Sequence, residues 1–360
     1  MSRLVAVIMA GGSGTRFWPK SRADRPKQLL PFGDDRPLLV QTSARLAGLI
    51  PPERQFVITG ARIADAVRRL LPAVPAEQVI GEPEGRDTAA CVGLAGRLIA
   101  RLDPQAVGIA MPSDHVIEPA ADYRRHLAAA EQALAAHPGA LLVFGITPDR
   151  PATGYGWLRQ GAAVGSHDGC PVHRLQAFIE KPDRARAEAL LAEGGHAWNA
   201  GLFAFRPDTL AAAYAAHLPE FGPHLDALAE AWRTPRFPAA LAEHYPRLRK
   251  VSIDFGVMEK LSGTLLMPLP LQWDDVGAWD ALARLLPADA DGNVAEGEAV
   301  LLDSRGLIVS AGEGLVAAKG VADLIIVHTG DATLVCRRDD AEGVKRLVEV
   351  VRERGFEQYL

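Results

Sequence analysis

Cysteine is scarce in this chain. Cys91, Cys170 and Cys336 lie far apart, are odd in number and form no Cys-x-x-Cys pair. That argues against a disulfide framework and a structural zinc site, and it fits a reducing compartment. Long apolar runs are missing as well. No stretch approaches the ~20 residues that cross a bilayer, and the apolar segment 4–10 is too short for a signal-peptide core because glycines follow at once. Positive charge is not in excess: the net charge is −5, so there is no basic field of the kind nucleic-acid binders use. Low-complexity tracts and internal repeats are absent. The expectation is a soluble, cytoplasmic protein whose partner is a small molecule rather than nucleic acid or a membrane.

What is present is 360 residues, 48% hydrophobic and 23% charged, enough for one large α/β domain plus a smaller one. Apolar runs of strand length at 4–10, 56–59, 78–81, 106–111 and 140–146 alternate with helical patterns near 38–49, 63–71, 88–102 and 123–136. Strands apolar at nearly every position, alternating with helices, predict a doubly wound sheet, mixed but mostly parallel and covered on both faces. After residue 150 the pattern loosens into strands at 154–157, 172–179 and 202–205, a helix at 183–193 and short helices within 207–244. The Ala-Asp-Ala-Asp-Gly-Asn stretch inside 287–297 reads as a linker. It separates a catalytic domain, 1–288, from a small β-rich C-terminal domain, 289–360, with short strands at 299–302, 307–309 and 324–327. The closing helix, 342–354, carries Val344, Leu347, Val348 and Val351 on one face. With little chain left to cover it, that stripe predicts a homodimer through the C-terminal domain.

The most informative segment is Met9-Ala10-Gly11-Gly12-Ser13-Gly14-Thr15-Arg16-Phe17-Trp18-Pro19-Lys20, continuing to Arg25-Pro26-Lys27-Gln28. A glycine-rich turn directly after the first strand leaves backbone N–H groups open to phosphate oxygens. It is no Walker A loop, because no Gly-Lys-Ser/Thr closes it, and no dinucleotide fingerprint, because the third glycine is missing. Arg16 and Lys27 add two cations suited to a triphosphate and a leaving pyrophosphate. Taken alone, Gly12-Ser13-Gly14 fits a plain strand–turn equally well; Arg16 and Pro26-Lys27 at this spacing lift it above that. The segment resembles the signature of the sugar-1-phosphate nucleotidyltransferases. Its Phe-Trp-Pro and Arg-Pro-Lys-Gln variants resemble the mannose-1-phosphate guanylyltransferase branch.

The resemblance continues to about residue 285, and it implies roles residue by residue. Gly11, Gly12, Ser13, Gly14, Thr15, Arg16 and Lys27 would hold the nucleotide phosphates. Met111-Pro112-Ser113-Asp114-His115 places Asp114 after a buried strand, where open α/β sheets bind ligands. Trp273-Asp274-Asp275-Val276-Gly277 supplies Asp275. In the family these two positions ligate magnesium, and a few hard oxygens completed by phosphates and water suit that ion. Asp274 reads as a cap instead, and His115 as a structural histidine. Glu82, Arg86 and Asp87, in the loop Glu82-Pro83-Glu84-Gly85-Arg86-Asp87-Thr88-Ala89, match the loop beside the guanine. Asp87 stands there for a commoner Asn and Ala90 for Pro, and Thr88 or Asp87 is a natural cap for the helix that follows. Glu180 and Lys181 of Phe-Ile-Glu-Lys-Pro, Asn199 of Trp-Asn-Ala-Gly, and Gly154-Tyr155-Gly156 match sugar-phosphate contacts. Ser252-Ile253-Asp254-Phe255 matches a further guanylyltransferase segment, whose Asp254, like Glu259 beyond it, either faces the sugar or caps a helix.

The resemblance therefore implies a nucleotide-diphospho-sugar transferase fold with a left-handed β-helix-like C-terminal piece. It implies Mg2+ as cofactor and transfer of GMP from GTP to mannose-1-phosphate, giving GDP-mannose and pyrophosphate. Longer relatives carry a fused phosphomannose isomerase domain, for which 360 residues leave no room, so a single activity is expected. The alternatives are the same chemistry with dTTP or UTP and glucose-1-phosphate, or a non-catalytic sugar-nucleotide-sensing subunit. The latter usually loses the loop arginine, the lysine or a metal aspartate, all present here.

Overall fold

The computed structural model describes residues 2–12 and 14–360. The chain packs as two compact units interleaved in sequence. The larger takes the segment ending at Gly11, Ser43–Ser113 and Ile117–Trp273; the smaller takes Gly12–Thr42, Asp114–Val116 and Asp274–Leu360.

The larger unit is built on a nine-stranded sheet. Its strands are β1 (Leu4–Ala10), β2 (Gln55–Gly60), β3 (Val79–Glu82), β4 (Val107–Pro112), β5 (Leu142–Ile146), β6 (Trp157–His167), β7 (Cys170–Ile179), β8 (His196–Phe205) and β9 (Leu265–Leu269). Their order is β3-β2-β1-β4-β8-β5-β9-β7-β6. β1 runs parallel to β2 and β4, with Ile8 opposite both Val57 and Met111. β8 runs antiparallel to β4, β5 and β6, as does β7 to β9 and β6, so the sheet is mixed: the half β3-β2-β1-β4 is parallel, and antiparallel pairs predominate in the rest. In β1 all but Met9 is buried, as expected of a central strand covered on both faces.

One cover is the helix Asp87–Leu102, with Ala89 through Gly96 buried throughout. An added Cβ at Gly93 would meet the Tyr214 ring at 2.7 Å, and one at Gly96 would meet Leu210 at 2.5 Å. These glycines let the helix Pro207–His217 lie close. The strand expected at 154–157 begins only at Trp157, and the one expected at 202–205 begins at His196, carrying Trp198 and Asn199 into the sheet. Among the described residues no helix is long and apolar enough to cross a membrane.

In the smaller unit, the C-terminal segment forms two parallel ladders. Val294–Glu296, Ile308–Ala311 and Leu324–His328 make one, which Thr333–Arg337 closes antiparallel; Ala299–Leu302 and Val316–Lys319 make the other. The stretch read as a linker is ordered by side-chain bonds. Buried Asn293 donates to Asp289 and to the Ser304 carbonyl, and accepts from the Leu307 amide. The helix stripe read as bare is covered in part. Val344 and Val348 of the helix Val344–Glu353 are buried in one core with Phe17, Trp18, Phe32 and Trp279, and Leu347 stays exposed. The Phe-Trp-Pro segment holds this core together. The Phe17 and Trp279 rings pack edge-on at 5.1 Å, Trp279 donates to the Trp18 carbonyl at 3.0 Å, and Trp18 donates to the Tyr359 carbonyl at 2.7 Å.

Candidate active site

The smaller unit contains a cavity of about 370 Å³ walled by Gly14, Thr15, Arg16, Lys27, Asp114 and Asp275, with His115 and Lys345 also on its lining. Glycine is required on its rim. Gly12 and Gly14 have φ of 93° and 59°, in the region L side chains avoid. A Cβ on Gly14 would also lie 2.5 Å from Lys27 Cβ and 2.7 Å from the Lys27 backbone nitrogen. The loop thus passes directly over Lys27. Ser13 lies outside the described residues.

Lys27 is only 6% exposed, and a buried ammonium needs partners. Its Nζ donates to Asp114 Oδ2 at 2.8 Å and to the Asp275 backbone carbonyl at 2.6 Å. Burial pushes the Asp114 carboxyl up, but Lys27 and then His115 outweigh it, so its pKa lies below the ordinary value and the group is anionic at neutral pH. Arg16 Nη1 donates to the Gly277 carbonyl at 3.1 Å and lies 3.9 Å from Glu342. The Asp275–Gly277 turn therefore presents backbone acceptors to both signature cations. Its middle residue, Val276, is fully buried with φ of 47°, a conformation a β-branched residue adopts only when its surroundings impose it. Asp274 accepts from the Val276 amide at 2.7 Å and from Arg284, so it holds the turn rather than facing the cavity.

Asp114 and Asp275 both open on this cavity. A Cβ on Gly277 would lie 2.9 Å from Asp275 Oδ2, so glycine leaves that carboxylate its room. Among the described residues no group of three or more His, Cys, Asp or Glu side chains could hold a metal alone. Two carboxylates on one wall fit Mg2+, which takes few protein ligands and completes its shell with phosphate and water.

The larger unit carries the base-loop and sugar-site candidates. Glu82, at the end of β3, is 8% exposed and accepts from the Tyr245 hydroxyl. An added Cβ on Gly11 would lie 3.7 Å from its Oε2. Arg86 pairs with Glu84, while its buried Nε has no hydrogen-bond partner. Asp87 has φ of 65° and accepts from the Thr88 amide at 2.8 Å. Thr88 does not cap the helix; its hydroxyl accepts from the Ile253 amide at 2.9 Å, which ties the loop to the Ser252–Phe255 segment.

The Asn199 amide nitrogen donates to the Gly156 carbonyl at 2.7 Å, and its side chain donates to Asp254 at 2.9 Å while accepting from the Gly201 amide at 3.1 Å. A Cβ on Gly156 would stand 3.0 Å from Glu180. Lys181, with φ of 39°, pairs with Glu180 at 3.2 Å. Tyr155 packs on Trp198 and Trp273 at 5.2 and 5.1 Å, and Gly154 stays exposed. Asp254 is drawn to Asn199, and Ser252 supplies the helix cap. Burial raises the Asp254 pKa, the Asn199 bond opposes this, and Glu180 and Asp87 add to the rise. Asp254 is thus tied to the sugar candidates through Asn199, and its segment to the base loop through Thr88. Nothing local in the sequence marks Lys345, Glu342 or Tyr245 as members of these sites.

A glycine-rimmed cavity with two cations and two carboxylates, in a chain that also carries separate polar clusters, suits transfer of a nucleotidyl group. The nucleotidyl transferase family matches residues 5–292, and a MannoseP isomerase/GMP-like beta-helix domain matches residues 297–351. A mannose-1-phosphate guanylyltransferase of Klebsiella pneumoniae is 35% identical over 364 residues, covering 99% of this chain and 75% of its own. The alginate biosynthesis protein AlgA of Pseudomonas aeruginosa is 34% identical, covering 98% of this chain and 73% of its own. A solved Thermus thermophilus protein, described as mannose-1-phosphate geranyltransferase, has a TM-score of 0.86 at 37% identity, covering 97% of this chain and 99% of its own.

Proposed function

The chain belongs to the nucleotidyl transferase family, and on that premise we propose that it transfers GMP from GTP to mannose-1-phosphate in the cytoplasm. A phosphate oxygen of the sugar phosphate attacks the α-phosphorus in line; the α–β phosphoanhydride bond breaks, and pyrophosphate leaves with the bonding electrons. The observation that carries this reading is the cavity in which Arg16, Lys27, Asp114 and Asp275 meet.

Such chemistry asks for positioning and charge neutralisation rather than a protein nucleophile. Lys27 and Arg16, already oriented by the Asp275 and Gly277 carbonyls, would hold the phosphates and offset the charge that grows on pyrophosphate. Mg2+, held by Asp114 and Asp275, would add neutralisation of the phosphate oxygens. Glu82 and Asp87 are acceptors suited to the N1–H and 2-amino donors of guanine. A base lacking those donors would make fewer bonds to these two carboxylates. Asn199, Glu180 and Lys181 would hold the sugar phosphate. In this scheme residues 1–288 form the catalytic domain and residues 289–360 the C-terminal one.

Pyrophosphate release measured across four nucleoside triphosphates and several sugar-1-phosphates tests the reading. GTP with mannose-1-phosphate should give the highest kcat/KM; a preference for dTTP or UTP overturns it.

A further inference from the structure

The helix Val344–Glu353 is anchored by Val344 and Val348 in the core that contains Phe17 and Trp18. Its backbone is therefore fixed against the segment that carries the phosphate loop. The charges at its start are divided between two tasks. Arg346 is committed to Glu349 at 2.9 Å and Glu353 at 3.1 Å along the exposed side. Glu342 lies 3.9 Å from Arg16, and Lys345, three residues on and so on the same side, lines the cavity with Arg16 and Lys27.

The two signature cations already have acidic neighbours: Lys27 is paired with Asp114 and Arg16 faces Glu342. A nucleoside triphosphate brings several further negative charges. Lys345 is exposed and takes part in no ion pair among the described residues.

We propose that Lys345 is a third polyphosphate-binding cation, supplied by the C-terminal helix, which contacts the β- and γ-phosphates of the nucleotide and pyrophosphate as it leaves. This rests on the nucleotidyl-transfer reading above. It makes the C-terminal segment a contributor to the substrate site. Because Lys345 contacts the part of the nucleotide that departs, its loss acts on nucleotide and pyrophosphate and spares the sugar phosphate.

The test compares Lys345→Ala, Lys345→Arg and the control Arg346→Ala with the wild type in both reaction directions. Lys345→Ala should raise the KM for GTP and for pyrophosphate about tenfold, the loss of one charge-assisted contact. The KM for mannose-1-phosphate and the Tm should stay put. Lys345→Arg should recover most of the loss, and Arg346→Ala should match the wild type. Unchanged KM values for GTP and pyrophosphate in Lys345→Ala overturn the proposal, as does an equal rise for mannose-1-phosphate. If the wild type prefers another nucleotide, the functional reading fails separately and the comparison is made with that nucleotide. If it makes no sugar nucleotide, calorimetric titration with inorganic tripolyphosphate decides, and equal affinity of wild type and Lys345→Ala overturns the proposal.

Discussion

Inside the larger unit the Tyr245 hydroxyl donates to the Glu82 carboxylate, with Tyr245 fully buried and Glu82 8% exposed. Burial raises the Glu82 pKa to about 7; the Tyr245 bond works against the rise and Asp87 adds to it. The folded protein therefore binds this proton more tightly than the unfolded chain, whose Glu titrates near 4.3. Stability from this group is fully present below that value and is lost as pH rises toward about 7, by at most about 4 kcal/mol. Glu82→Gln keeps an acceptor for Tyr245 and removes the titration. In denaturant unfolding at pH 5 to 8, the variant should lose less stability with rising pH than the wild type. Parallel pH curves for the two proteins would refute the assignment.

The neighbouring aspartates should separate by role. Asp114→Asn and Asp275→Asn keep size but remove the carboxylate proposed to hold Mg2+, so kcat should fall by roughly two orders of magnitude or more. The KM for mannose-1-phosphate should change less. Asp274→Asn should hurt turnover much less and stability more, because it weakens a 4% exposed carboxylate that holds Arg284 and the Val276 amide. A loss of about 1–3 kcal/mol is expected by calorimetry or denaturation. A larger kcat loss for Asp274→Asn than for Asp275→Asn would show the ligand to be misassigned.

Gly277→Ala should damage activity without damaging the fold. The new methyl would meet Asp275 Oδ2 at 2.9 Å, a side-chain atom that must shift to make room. Moving that carboxylate should cost about tenfold or more in kcat, with Tm near the wild-type value. Wild-type turnover by the alanine variant would mean that the carboxylate position is not critical.

A homodimer is expected, with a different surface from the helix stripe. Val300, Leu302 and Leu315 are each more than half exposed on the strand Ala299–Leu302 and beside its ladder partner Val316–Lys319, an apolar group that self-association would cover. Light scattering should give a dimer mass, and Val300→Glu with Leu302→Glu should give the monomer. A monomeric wild type at micromolar concentration ends the idea. Truncation near residue 290 is a poor test, because it removes Val344 and Val348 from the core around Phe17 and Trp18.

The parallel half of the sheet was legible in the amino-acid sequence, since unbroken apolar runs such as Leu4–Ala10 can only be buried on both faces. So was the glycine loop, from the glycines directly after the first strand, and the family motifs singled out Arg16, Lys27, Asp114 and Asp275, which line one cavity. Those signals are local: periodicity, a turn's φ, or a short motif. Tertiary structure alone decided the rest. Thr88 looked like a helix cap but bonds Ile253, 165 positions away. Asp254, open between two roles, is turned toward Asn199. In the Val344–Val351 stripe, amphipathicity reports that a face is apolar, not that Val344 and Val348 are covered by the core around Phe17 and Trp18. Lys345 joins the cavity of Arg16 and Lys27 only because that packing carries the last helix back to the first loop, and no pattern of neighbouring residues encodes such a return.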